Sequence, residues 1–309
     1  MALNKYRPWI VVAVVAVVAL VLWLATPPRL EPGSSAPRPA PQVLVPGTEE
    51  RITRISGEAP SEWVVVAIHG FSASRQETAP LARLVAASLQ ANLVEARLTG
   101  HGLQNNALAD VVAEHWLDDA HRILTEAASL GDKLIIIGTS TGATLAAAML
   151  DQPGSDPIDT LVMISPNFMP HAAGAPWLTR PFGPVLAKLI AGDTRCFVPR
   201  NELQEKYWST CTPTAAAVEV MRLVDRANRV WPARMQQRLL VFFSEDDQVV
   251  SPKATRDAFD AVEARDKLLV EVTDSDDPMD HVLAGDIMSP STTRRLANEI
   301  VAFIRRPVP

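Results

Sequence analysis

Hydrophobic positions along this chain fall into three regimes. Residues 9–25 form an uncharged run rich in Val, Ala and Leu, preceded by Lys5 and Arg7. Residues 26–46 carry seven prolines, Pro27, Pro28, Pro32, Pro37, Pro39, Pro41 and Pro46, with Gly33, Ser34 and Ser35 among them. From 47 onward, short apolar runs alternate with longer stretches of helical spacing. WVVVAIHG (63–70), ANLVEARL (91–98), KLIIIG (133–138), TLVMIS (160–165), RLLVFFS (238–244) and KLLVEV (267–272) read as buried strands, being short, β-branched and ended by turn residues. Helical spacing falls between them at about 78–90, 110–130, 141–151, 253–264 and 291–306. The alternation predicts βαβ units, hence an α/β fold with a mostly parallel sheet and helices on both faces. From Pro166 to Arg238 about 70 residues separate two strands, more than one crossover helix needs. That interval predicts an inserted helical cap at about 166–237.

The first two regimes set an expected organisation. Seventeen residues at about 1.5 Å each cover roughly 26 Å, the short end of a bilayer span. No clean small-x-small cleavage site follows the run, and no Cys for lipid attachment. With Lys5 and Arg7 held inside, residues 1–8 are expected to be cytoplasmic and 9–25 to be a transmembrane signal anchor. Residues 26–46 then form a Pro-rich polyproline linker, and 47–309 an extracytoplasmic domain, most simply in a bacterial periplasm. Secretion after signal cleavage is the alternative. Composition narrows the remainder: 29 basic against 35 acidic residues leave a formal charge of −6, which gives no general attraction to nucleic acid. Two cysteines exclude a disulfide scaffold and a four-thiolate metal site.

Candidate chemistry begins at Gly138–Thr139–Ser140–Thr141–Gly142, a G-x-S-x-G that follows the strand LIII and opens an Ala-rich helix. A nucleophile elbow needs that context: the sharp turn leaves the Ser140 hydroxyl exposed at the sheet edge, beside a helix N-terminus that favours negative charge. Six histidines compete for the role of base. Catalytic groups of open α/β sheets gather at the carboxyl ends of strands, which retains His69, His101 and His281. His281 alone lies on a loop after the final strand. The acid comes from Glu245, Asp246 and Asp247 after RLLVFF, with Asp247 the choice and Asp246 the alternate. The chain order Ser140, Asp247, His281 is the one expected of a strand–elbow–helix hydrolase.

HGF (69–71), RLTGHG (97–102), GTSTG (138–142), DQVVSP (247–252) and HVLAGD (281–286) together resemble the α/β-hydrolase superfamily, most of all its monoacylglycerol-lipase and carboxylesterase branch. The resemblance covers about 60–306. It favours Asp247 over Asp246, because the family's acid is followed one residue later by an apolar pair, here Val249 and Val250. It implies a serine hydrolase of carboxylic esters, short or medium acyl esters or monoacylglycerols, working through an acyl-enzyme. The backbone N–H groups of Thr141 and Phe71 are its implied oxyanion donors, and His69 reads as structural. No metal or organic cofactor is expected. The expected partners are a small-molecule or lipid ester, and the membrane through the N-terminal helix. Thioesterase, amidase or acyltransferase chemistry on the same triad is the alternative, and a non-catalytic binding module a further one. In the cap interval, Trp177, Phe182, Phe197, Tyr207, Trp208, Met221 and Trp231 suggest an apolar pocket, or else plain cap packing. A disulfide between Cys196 and Cys211 is expected if the domain is extracytoplasmic, against two buried free thiols.

Overall fold

Five of the six apolar runs become strands because each can bury both faces of the pleat at once. In this computed structural model, which describes residues 7–24, 26, 29–31, 33, 35–40, 42–55, 60–103 and 107–307, the strands in chain order are β1 (Arg51–Thr53), β2 (Ser61–Ile68), β3 (Asn92–Glu95), β4 (Gly131–Thr139), β5 (Ile158–Ile164), β6 (Thr194–Cys196), β7 (Cys211–Pro213), β8 (Arg238–Phe243) and β9 (Asp266–Glu271). The helices are α1 (Arg7–Leu24), α2 (Leu81–Leu89), α3 (Ala113–Ala128), α4 (Thr141–Ala148), α5 (Gly183–Ala191), α6 (Glu202–Tyr207), α7 (Thr214–Arg234), α8 (Pro252–Asp260) and α9 (Pro290–Arg305). Seven strands form one sheet in the order β1-β3-β2-β4-β5-β8-β9, parallel throughout except for the antiparallel β1 at one edge.

Alternate strand residues divide between two cores, as a period of two requires. Val64, Val66, Leu134, Ile136, Leu161, Met163, Leu239 and Val241 face one cluster, with side chains of α3, α4 and α7. Val65, Ile135, Ile137, Val162, Ile164, Leu240 and Phe242 face the other, with α2 and α9. The expected buried strand at 267–272 is instead the sheet's other edge, and its Leu268 is exposed. Between β5 and β8 lie α5, α6, α7 and the antiparallel ribbon β6–β7.

The N-terminal expectation is corrected. A helix forms over Arg7–Leu24, and the side chains of residues 9–24 are exposed, but no helix of the described residues is long and apolar enough to cross a membrane. The physical shortfall is length: the 16 apolar residues 9–24 reach about 24 Å, less than the roughly 30 Å hydrocarbon core. The transmembrane signal anchor at 9–25, the membrane partner and the extracytoplasmic or periplasmic placement that followed from it therefore lose their support. Residues 1–6 of the expected cytoplasmic segment lie outside the described residues. So do Ala25, Pro27, Pro28, Pro32, Ser34 and Pro41 around and within the expected linker. Parts of the linker that are described are not a free spacer. Leu30 is 1% exposed and belongs to the core. Its carbonyl accepts from Arg226 and Arg229 of α7.

Candidate active site

Because the sheet is parallel, the chain leaves β2, β4, β5, β8 and β9 at the same edge, and the singled-out residues meet there. Ser140 stands between β4 and α4 with φ +50° and ψ −116°, a backbone conformation that serine rarely holds. Its own N–H donates to Ile164 O at 2.9 Å, tying the turn to β5. Residue 142 must be glycine, since a Cβ there would lie 2.2 Å from the Ile68 carbonyl oxygen. The tight packing of α4 on the end of β2 thus presents the serine.

Ser140 Oγ lies 3.0 Å from His281 Nε2, and His281 Nδ1 lies 2.8 Å from Asp247 Oδ2. Protonated at Nδ1, the imidazole donates a hydrogen bond to Asp247 and accepts one from the Ser140 hydroxyl at Nε2. The other carboxylate oxygen of Asp247 accepts from the N–H groups of Val249 (2.8 Å) and Val250 (2.9 Å), which fixes the acid on the loop after β8. All three side chains are buried. Asp246 makes no contact of this kind: its N–H donates to Ser244 Oγ. Burial pushes the His281 pKa down, but the hydrogen bond and charge of Asp247, with the charges of Glu77 and Asp277, outweigh it, and the net shift is upward.

The remaining histidines at this edge are held neutral. Burial lowers His69 to about 4. Its Nε2 accepts from Leu98 N (3.1 Å) and its Nδ1 donates to Gly70 O (2.8 Å), so it braces the turn after β2. Burial also pushes His101 well below its ordinary value, and its ring lies tilted against His69 and Trp116 and edge-on to Phe71. Phe71 sits in that braced turn, and no described backbone group takes up its N–H. Thr141 is the first residue of α4, where an N–H has no intrahelical acceptor.

Two carboxylates escaped the sequence reading. Asp277 Oδ2 accepts from the N–H groups of His281 (3.2 Å) and Val282 (2.9 Å) and shapes the histidine loop. Glu77 is buried behind the turn at Gly70, whose N–H donates to its Oε2 at 2.6 Å. Asp277 was visible as an acidic residue four before the histidine. In SRQETAP nothing marked Glu77 as buried.

Of the aromatics between β5 and β8, Trp208 packs with Ala73, Val282 and Met288, next to the histidine loop, and Tyr207 joins it. Met221 and Trp231 are core residues, while Trp177, Phe182 and Phe197 are exposed. Cys196 and Cys211 are joined in a disulfide that ties β6 to β7. Among the described residues no cluster of His, Cys, Asp or Glu offers a metal site.

Residues 59–274 match the family described as serine aminopeptidase, S33, and the chain belongs to that α/β-hydrolase family. Solved structures share the fold. A metagenome-derived lipolytic enzyme of the LipS and LipT pair superposes with a TM-score of 0.70 at 20% identity, covering 85% of this chain and 99% of its own. The monoacylglycerol lipase of Paleococcus ferrophilus gives 0.59 at 15% identity, covering 83% and 97%. A soluble variant of the Saccharomyces cerevisiae monoglyceride lipase, in complex with a substrate analog, gives 0.61 at 14% identity, covering 87% and 98%. No curated protein matches the chain.

Proposed function

We propose that this S33-family hydrolase cleaves carboxylic esters, short or medium acyl esters or monoacylglycerols, through an acyl-serine intermediate. The observation that carries the reading is the unbroken line of hydrogen bonds Ser140–His281–Asp247 at the carboxyl edge of the sheet. Ser140 Oγ attacks the acyl carbon while His281 Nε2 takes its proton, and Asp247 stabilises the imidazolium. The Phe71 and Thr141 N–H groups receive the oxyanion; a donor in that role is typically worth ~10²–10³ in rate. His281 returns the proton to the leaving alkoxide, which departs as the alcohol. Water then enters, gives a proton to His281 and attacks the acyl-serine, and the acid leaves as Ser140 regains its proton.

The elements between β5 and α7 serve in this reading as a cap, while α7 itself covers the sheet. Ser209 N–H donates to Ser72 O at 2.7 Å, and Trp208 rests on Ala73 and Val282, so the insertion touches both the turn carrying Phe71 and the loop carrying His281. Its apolar side chains suit an acyl chain better than a charged amine. The test is hydrolysis of p-nitrophenyl esters from acetate to palmitate by the full chain and its Ser140→Ala variant. Turnover that falls at least ~10⁴-fold in the variant is expected, with the chain-length optimum sizing the cap pocket. Turnover of aminoacyl p-nitroanilides with none of the esters would replace the reading with a peptidase.

A further inference from the structure

Glu77 lies against the Gly70 turn and is used by none of the steps above. Its carboxylate is buried, and Gly70 lies beside both it and the nucleophile. A Cβ on Gly70 would stand 2.9 Å from Glu77 Oε1 and 3.2 Å from Ser140 Cβ, so the carboxylate and the serine flank one backbone unit. That unit donates its N–H to Glu77 Oε2 at 2.6 Å, and the next N–H along the chain is that of Phe71. Two residues beyond Glu77, the Ala79 carbonyl accepts from Asp286 N–H at 2.9 Å, fastening the same segment to the loop that bears His281. The charged groups that act on Glu77 are His281 and Asp277, both from that loop. His281 in turn feels Asp247, Glu77 and Asp277. Burial raises Glu77 to about 7, against the pull of the Gly70 N–H and of His281.

We propose that Glu77 is a positioning residue of this site: its carboxylate fixes the Gly70 peptide so that the Phe71 N–H faces the oxyanion, and its negative charge supports the protonated form of His281. The inference rests on the ester-hydrolase reading for its meaning but not for its test. A fluorophosphonate that labels Ser140 needs the serine, the base and the oxyanion donors, and no ester.

The experiment measures the labelling rate of the full chain against pH for wild type, Glu77→Gln and Glu77→Ala. Glu77→Gln keeps an acceptor for the Gly70 N–H and removes the charge. Its rate at pH 8 should stay within about tenfold of wild type, while the midpoint of its acid limb moves down by about half a pH unit or more, because the imidazole loses a neighbour that favoured its charge. Glu77→Ala removes the acceptor as well and should label roughly 10- to 100-fold more slowly at pH 8, as a displaced oxyanion donor implies. A merely structural glutamate would not move the acid limb. An unchanged limb in Glu77→Gln overturns the electrostatic role, and a wild-type rate in Glu77→Ala overturns the positioning role. If Glu77→Ala does not fold, the Glu77→Gln limb decides. A wild-type chain that labels but turns over no ester overturns the ester reading alone, and one that does not label overturns both.

Discussion

His69, His101 and His281 are all buried near one sheet edge, yet their surroundings pull in opposite directions. His69 and His101 face mainly desolvation and stay neutral, whereas three carboxylates around His281 overcome the same burial. A raised pKa means that His281 takes up its proton at higher pH than an ordinary imidazole. Below that midpoint its Nε2 has no lone pair for the serine proton. Ester hydrolysis should therefore fall as pH drops through a midpoint above the ordinary 6.5, measured as kcat/KM against pH. Asp247→Asn removes the strongest of the three carboxylates and the acceptor that selects the Nδ1–H tautomer. It should lower kcat by on the order of 10⁴, and a loss under tenfold would move the role of acid elsewhere. The three residues that meet in this way were legible in the sequence, because each follows a recognisable strand and so must reach the same edge. Glu77 was not legible: it sits in a polar turn, and only the close approach of Gly70 and the histidine loop turns an ordinary surface residue type into a buried carboxyl group.

At the scale of elements, strands that bury both faces announced themselves as unbroken apolar runs. Their helices followed from the spacing between them. The elements that were missed bury little of their own. β1 is three residues long at a sheet edge, and β6 and β7 pair only with each other. A periodicity argument has nothing to read in three residues, and there the disulfide does the work of a core. Cys196 and Cys211 close a loop of sequence separation 15 that carries α6 and Trp208 and reaches back to Ser72. Loop-closure entropy for such a ring is about 3 kcal/mol. The Cys196→Ser/Cys211→Ser double variant should accordingly melt several degrees lower, with the loss of Trp208 packing visible as a change in tryptophan fluorescence. An unchanged melting temperature would mean that contacts with the turn and the histidine loop hold the ribbon without the bridge.

Across the whole molecule, the stretch that reads as a spacer turns out to belong partly to the folded body. Proline density forbids pairing in a sheet interior, but it does not forbid laying an extended strap over a surface, and this one ends in specific contacts. The Leu30 side chain is buried in the larger core, its carbonyl accepts from Arg226 at 3.0 Å and Arg229 at 3.2 Å, and Pro37 O lies 2.8 Å from His115 Nε2. Farther on, Val45 N–H and the Thr48 hydroxyl both bind Gly102 O. Arg226 is itself buried, and burial disfavours its charge while Asp151 favours it. Taking away the Leu30 carbonyl therefore removes an acceptor from a guanidinium that has no water to turn to. A chain beginning at Gly47, the boundary that composition alone suggests, leaves a leucine-sized cavity beside α7 as well. Leucine-to-alanine losses of this kind run about 2–5 kcal/mol. At roughly 2–4 °C per kcal/mol for a domain of this size, the Gly47 chain should melt about 4–20 °C below one beginning at Arg29, by calorimetry at equal concentration. Leu30→Ala within the longer chain should reproduce most of that difference. Equal melting temperatures for all three would return the strap to the status of a spacer.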